Sequence, residues 1–237
     1  MCGAGGAVGW KEATVYGPIN LDGDPQDELL LCEVTPNLNT PVLQVWAYDW
    51  VGGSLAAKWS RNIALAARRE LISNDPHTTQ RIGRFAADFD LDGSLDVLAW
   101  EGGALKALRG VDGTPVYTYT PPVNASVQYL GDLDGNPATP EVLLSGSDGY
   151  LYYLDRTLNL QRRMYAGAGF TAPYVVDTNG DGRNEVIFTD GTGALVNLDA
   201  VTATQRLAPR VNWRRWLGLP LSVSYTHLRA HETPEHL

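Results

Sequence analysis

The chain is poor in cysteine, histidine and basic residues. It has two cysteines, Cys2 and Cys32, and four histidines. The two cysteines lack the spacing of a metal site and are too few for a disulfide framework. Lys and Arg number 18 against 27 Asp and Glu, which leaves a formal net charge of -9. Because nucleic acids and anionic membranes are bound through basic patches, we expect neither as a partner.

Long apolar segments and catalytic motifs are also missing from the sequence. The sequence contains no run of about 18 apolar residues, so it predicts no membrane-spanning helix. The opening residues, MCGAGGAVGW, lack the basic and apolar regions of a signal peptide. The sequence has no nucleophile elbow, P-loop or Ser-His-Asp set, and His77 stands alone in a polar segment. We therefore expect a protein without catalytic activity.

What the chain does contain is an acidic segment that is repeated four times. Each copy has Asp or Asn at its first, third and fifth positions and an acid at its ninth or tenth, directly before an apolar run. The copies are named loop one (20–28), loop two (88–96), loop three (132–141) and loop four (177–185). Loops three and four each begin about 45 residues after the preceding loop, which is the length of one four-stranded propeller blade.

The sequence around the loops predicts β-strands. After loop four, for example, the runs VIFTD and ALVNLD flank a glycine-bearing turn. We therefore predict an all-β chain, a partial β-propeller of about four four-stranded blades with Asp-x-Asp-x-Asp-Gly calcium loops. The predicted division is a flexible segment at 1–13, blades at 14–60, 81–120, 126–167 and 171–209, an insertion at 61–80, and part of a next element at 210–222.

The loops have the ligand chemistry of a calcium site. Ca²⁺ takes about six to eight oxygen ligands, and side chains at alternate positions of a tight turn can point inward together. Glycine at the sixth position permits the reversed turn, and like charges this close repel one another unless a cation lies among them. The predicted ligands are Asn20, Asp22, Asp24, Glu28, Asp88, Asp90, Asp92, Asp96, Asp132, Asp134, Asn136, Glu141, Asp177, Asn179, Asp181 and Glu185.

A plain turn and an EF-hand are the two alternatives to a calcium loop of the propeller type. Asp-Gly and Asn-Gly also form plain turns, although a plain turn does not require acids at four positions together. An EF-hand needs flanking helices and an acid at position twelve, where loops one, two and four have an apolar residue. The loops also differ from one another. Loop one begins with Asn20 and has Pro25 at its sixth position, while loop three has Pro137 there and one extra residue before Glu141.

The pattern Asp-x-Asp-x-Asp-Gly-x-x-Asp/Glu at the start of a strand resembles the FG-GAP/VCBS repeat of the integrin α N-terminal propeller and its bacterial relatives, over about residues 14–209. The resemblance implies a calcium-bearing β-propeller, usually secreted or at the cell surface, that serves adhesion, ligand binding or scaffolding. Its partner would be a protein or carbohydrate ligand. Some rhamnogalacturonan lyases also have calcium-bearing propellers, so the alternative function is a fragment of a polysaccharide-acting enzyme.

Two further features of the sequence lie outside the repeat pattern. The segment VSYTHLRAHET at 223–233 resembles a translated sequencing adapter, so we expect residues 223–237 to be a non-native tail on a fragmentary gene. The seven tryptophans suit either packing between blades, which we expect, or a sugar-stacking platform. Strand alternation predicts that Trp46, Tyr48 and Trp50 share one face.

Overall fold

The computed structural model describes residues 13–35, 42–66 and 85–206. Most of the predicted N-terminal segment and insertion, the element at 210–222 and the tail at 223–237 lie outside these residues, as does His77. Every regular element in the described ranges is a β-strand, and the strands form four antiparallel sheets. Within the same ranges there is no helix long and apolar enough to cross a membrane.

Sheet one has four strands in chain order, and loop one joins the first two. The hairpin between the third and fourth strands turns through Gly52 and Gly53, whose φ angles are 59° and 86°. Two successive left-handed residues are what a tight type I′ hairpin requires. Arg61 and Asn62 end the fourth strand rather than begin the predicted insertion. The strands are β1 (Ala13–Ile19), β2 (Glu28–Thr35), β3 (Val42–Val51) and β4 (Ser54–Asn62).

Sheet two has a first edge that is built from two short strands. Both pair with the same neighbour, β5 opposite Ala99 and Trp100 and β6 opposite Asp96 and Val97. The insertion therefore enters the chain within this edge of the sheet. The strands are β5 (Ala64–Leu65), β6 (Ala86–Ala87), β7 (Asp96–Glu101), β8 (Ala104–Leu108) and β9 (Pro115–Tyr119).

Sheets three and four repeat the order of sheet one, with an acidic loop between the first two strands of each. Sheet three contains β10 (Ala125–Gly131), β11 (Glu141–Gly146), β12 (Tyr150–Leu154) and β13 (Leu160–Tyr165). Sheet four contains β14 (Tyr174–Val176), β15 (Glu185–Thr189), β16 (Leu195–Asp199) and β17 (Gln205–Arg206).

The core consists of three apolar layers, one between each pair of successive sheets. The first packs Leu30 and Val45 of sheet one against Val97 and Leu108 of sheet two. Alternation along a strand sends neighbouring residues to opposite layers. Leu98 thus enters the second layer, between sheets two and three, while Leu143 enters the third, between sheets three and four. Four sheets stacked face to face in series are consistent with part of a β-propeller.

Candidate metal centres

The last acid of each loop anchors the loop to its sheet. Glu28, Asp96, Glu141 and Glu185 are buried, with 0, 0, 2 and 0% of their surface exposed. One oxygen of each carboxylate accepts a hydrogen bond from the backbone N–H of the second loop residue, at 2.5, 3.0, 2.8 and 2.8 Å respectively. The carboxylate thus closes the loop end to end and leaves its other oxygen for further partners.

The side chains at positions one, three and five fold the loop by accepting backbone N–H groups. In loop two, Asp88 accepts from Gly93 at 2.9 Å, Asp90 from Asp92 at 3.2 Å, and Asp92 from Ser94 at 2.8 Å. Loops one, three and four contain equivalent bonds. Both a metal loop and a plain turn require these bonds, so the two kinds of loop differ in what surrounds the remaining acid oxygens.

The fourth position of every loop has a left-handed backbone, a feature that the predicted loop pattern did not include. The φ angles there are 78°, 63°, 91° and 76°, at Gly23, Leu91, Gly135 and Gly180. The predicted glycine at position six is also left-handed where it occurs, at Gly93 and Gly182. Glycine at position four in three of the four loops was the available signal.

Loop two brings three acids together, and one of them has a buried oxygen without a hydrogen-bond partner. Oxygens of Asp88, Asp90 and Asp96 lie within 4.8 Å of one another, and Asp96 Oδ1 is buried without a hydrogen-bond partner. Burial raises the pKa of Asp96 from 3.8 to about 6. Arg109 Nε lies 3.6 Å from Asp90 Oδ2, but its side chain is 42% exposed, and such a pair contributes little. A hard cation would relieve this arrangement.

Loop three forms a similar group despite its extra residue. Oxygens of Asp132, Asp134 and Glu141 lie within 4.8 Å of one another, and burial raises the pKa of Glu141 from 4.5 to about 7. Glu141 Oε1 accepts a 3.3 Å hydrogen bond from Thr139. A cavity of about 540 Å³ adjoins the group; among its lining residues are Asp134, Glu141, Arg156, Gln161 and Arg162.

Loop one gathers a different set of acids, and a lysine lies among them. Oxygens of Asp22 and Glu28 lie within 4.8 Å of an oxygen of Asp49, a residue of β3 that was not predicted. Lys58 Nζ donates to Asp22 Oδ2 and lies 3.9 Å from Glu28 Oε1 and from Asp49 Oδ2. The hydrogen bond from Lys58 holds the pKa of Asp22 below its usual value, whereas burial raises the pKa of Glu28. Loop one therefore differs from loops two and three in having a basic side chain within its acid group.

Loop four matches the sequence pattern well, yet its acids are satisfied by the loop itself. Glu185 accepts hydrogen bonds from the backbone and hydroxyl of Thr178 and from Asn179 Nδ2, the last at 2.6 Å. Backbone N–H groups of Gly182 and Gly180 hold the pKa of Asp177 below its usual range. Among the described residues, loop four is not one of the groups of three acids close enough to share an ion.

Successive loops contact one another along one edge of the stack of sheets. The Leu95 backbone N–H donates to the Asn20 carbonyl at 3.3 Å, and Asn184 Nδ2 donates to the Asp132 carbonyl at 2.6 Å. In both pairs, position eight of one loop contacts position one of the loop before it. Arg156 of sheet three continues the row by donating to the carbonyl of Phe89 in loop two at 2.9 Å.

The tryptophans within the described residues divide between core and surface, while Trp10, Trp213 and Trp216 lie outside those residues. Trp59 is 8% exposed, and its ring N–H donates to the Gly110 carbonyl at 2.7 Å. Trp46 and Tyr48 stack with ring centroids 6.3 Å apart, as expected for two side chains on one strand face. Trp50 is 53% exposed. A sugar-stacking role for this face stays the untested alternative to packing.

Comparison with known proteins leaves the family open. No protein-family model and no curated protein matches the chain. Solved structures that resemble it include BamB from Moraxella catarrhalis, at 20% identity and TM-score 0.44, over 80% of this chain and 50% of that one. BBS1N in complex with ARL6DN matches at 13% identity and TM-score 0.44, over 81% of this chain and 56% of that one.

A third resemblance is to the V. cholerae biofilm matrix protein Bap1, at 16% identity and TM-score 0.44, over 81% of this chain and 29% of Bap1. This chain thus spans about half the length of the BamB and BBS1N chains and less of Bap1. Similarities of this size do not bear on function. The chain is all-β with four stacked antiparallel sheets, and several of its acidic clusters have the composition of a cation site.

Proposed function

We propose that this chain is part of a calcium-binding β-propeller of the FG-GAP/VCBS type, a non-catalytic binding or adhesion scaffold that is secreted or at the cell surface. Loops two and three are the proposed calcium sites. The observation that carries the proposal is the Asp96 carboxylate, which groups with those of Asp88 and Asp90 and whose Oδ1 is buried without a hydrogen-bond partner. A plain turn has no need of this arrangement.

The donor set favours calcium over other metals. Both groups offer carboxylate oxygens, with no nitrogen or sulfur among the grouped side chains, and hard cations select such ligands. Mg²⁺ demands near-octahedral geometry, whereas Ca²⁺ tolerates the irregular arrangement of a loop. Bound calcium would neutralise each group and fix the connection between the first two strands of its sheet.

A binding role is supported by a cavity at the end of the sheets remote from the loops. It measures about 520 Å³, and Ser126, Gln128, Ser145 and Phe170 are among its lining residues. The Ser126 and Ser145 hydroxyls lie 2.9 Å apart, and the Gln128 amide donates to both. Hydroxyl and amide groups beside an aromatic ring can bind the polar groups of a protein or carbohydrate ligand.

Thermal melting with calcium or with a chelator tests the proposed sites. Calcium at about ten times its dissociation constant stabilises the fold by about 1.4 kcal/mol per site, and each kcal/mol raises Tm by about 2–4 °C in a chain of this size. Asp96→Asn should lose the share of this shift that belongs to loop two. Its Tm in chelator should stay unchanged or rise, because a buried unpaired charge is removed.

The matched control is Asp27→Asn, which makes the same charge change at an exposed residue outside the acidic groups. It should keep the full calcium shift. An equal calcium shift in wild type and in the double variant Asp96→Asn with Glu141→Gln would refute both sites.

A further inference from the structure

Lys58 of sheet one places a positive charge among the acids of loop one. In loops two and three, calcium would supply that charge. We propose that its ammonium group is the built-in cation of loop one, so that this loop binds no metal while Lys58 is present. The inference rests on the proposed function in one respect, since it takes calcium to be the ion of the other loops.

The ammonium lies within reach of three carboxylates from separate parts of the sheet. Lys58 Nζ donates to Asp22 Oδ2 in the loop, and Glu28 Oε1 and Asp49 Oδ2 are each 3.9 Å away. Glu28 is fully buried, and its Oε1 has no hydrogen-bond partner. Since this oxygen corresponds to Asp96 Oδ1 of loop two, Lys58 Nζ stands where a cation would meet it.

A bulge in β4 directs Lys58 towards the loop. Ala57 pairs with Tyr48 and Trp59 pairs with Ala47, so Lys58 is an extra residue without a partner on β3. Bulges re-aim side chains in this way. The Lys58 side chain is only 13% exposed, and the next residue, Trp59, is buried. Two successive inward side chains interrupt the usual alternation of a strand. The inward orientation is therefore built into the strand pairing.

Sheets two and three have the same bulge, with a neutral residue in it. The register shift between Ala107 and Leu108 leaves Val116 unpaired on β9. The shift between Tyr153 and Leu154 leaves Gln161 unpaired on β13. The two loops that present open acid groups thus belong to sheets whose bulge has no positive charge, which supports a cationic role for Lys58.

The departures of loop one from the repeat pattern agree with this role. Asn20 replaces the acid at position one, so this position brings no negative charge, and its Oδ1 accepts from the Gly23 N–H at 2.7 Å. Asp49 of β3 supplies the third carboxylate instead. An ammonium group needs fewer oxygen ligands than Ca²⁺, because it offers three donors where calcium takes about six to eight ligands.

Calcium titration calorimetry on the full chain, in wild type and in Lys58→Met, tests the inference. Lys58→Met should bind one more calcium per chain than wild type. In chelator its Tm should fall, because three carboxylates lose their counter-charge, and calcium should restore it. The matched control, Lys106→Met, removes a lysine that pairs with Glu101 outside the loops and should leave the stoichiometry unchanged.

Asp22→Asn in the otherwise wild-type chain provides a second measurement that does not depend on the folding of Lys58→Met. It should leave the calcium stoichiometry unchanged; a loss of one calcium would show that loop one binds metal beside Lys58 and would overturn the inference. An unchanged stoichiometry in folded Lys58→Met would overturn it as well. If wild type binds no calcium but Lys58→Met binds one, the proposed function fails and the inference stands.

Discussion

At the scale of single residues, two loop positions have separate tasks. The acid at the end of the loop closes it by accepting the N–H of the second residue, and the fourth residue reverses the chain with a positive φ. Leu91 performs the second task in loop two with φ 63° and a side chain that is 49% exposed. Because L-residues strain in this region, Leu91 stores strain that the glycines of the other loops avoid.

Leu91→Gly should therefore stabilise the protein. Relief of the left-handed strain contributes about 1–2 kcal/mol, less the entropy that a glycine loses on folding, about 0.5–1 kcal/mol. We expect a net gain of about 0.5–1 kcal/mol in urea denaturation. Leu91→Ala keeps the strained φ and is the control. A gain of the same size in Leu91→Ala would show that the exposed leucine side chain, rather than the backbone, is responsible.

The identity of the candidate ligands was only partly predictable from the sequence. The spacing identified Asp88, Asp90 and Asp96, which the fold brings together. It did not identify Asp49 or Lys58, because both reach loop one from later strands through pairing and a bulge. Loop four has the complete spacing, but the pattern does not reveal that Asn179 turns its amide nitrogen towards Glu185.

At the scale of elements, three of the four loops are held by packing between sheets as well as by their own turns. The second loop residue is fully buried in three loops, as Leu21, Phe89 and Leu133. Each of these enters a different apolar layer. The same residue donates its N–H to the anchoring carboxylate, so each of these loops is fixed both to its strand and to the core.

Gly110 shows how closely the elements approach one another. A Cβ atom on this residue would lie 2.3 Å from the carbonyl oxygens of Leu21 and Leu95, one in loop one and one in loop two. Since both contacts are with backbone, Gly110→Ala should force the loops apart and lower the free energy of unfolding by about 2–3 kcal/mol. Urea denaturation measures the loss.

The control is Gly103→Asn, at an exposed turn where an added Cβ would meet nothing within 4 Å. Asparagine tolerates its positive φ better than other non-glycine residues do, so this change should lower stability by less than about 1 kcal/mol. A cost for Gly110→Ala no larger than that of the control would contradict the close approach.

The strands themselves were largely predictable, because the repeat, the glycine turns and the short apolar runs all indicate the same unit. The first edge of sheet two was not. Ala64–Leu65 and Ala86–Ala87 share one neighbouring strand although the insertion separates them, and pairing between short segments distant in sequence leaves no local pattern.

At the scale of the whole molecule, four similar sheets carry four acidic loops. The loops differ in how the repulsion among their carboxylates is offset. Loop one has an internal ammonium, loop four satisfies its acids with hydrogen bonds, and loops two and three keep open groups of three acids. We therefore expect calcium to stabilise the middle of the stack, while loops one and four stay folded without it.

The calcium stoichiometry of the full chain, with each binding event assigned by Asp96→Asn and Glu141→Gln, tests the central claim most directly. Titration calorimetry should detect calcium binding in wild type, the loss of one equivalent in each single variant, and the loss of two in the double variant. Unchanged calcium binding in the double variant, or no binding in wild type, would contradict the claim that loops two and three are calcium sites.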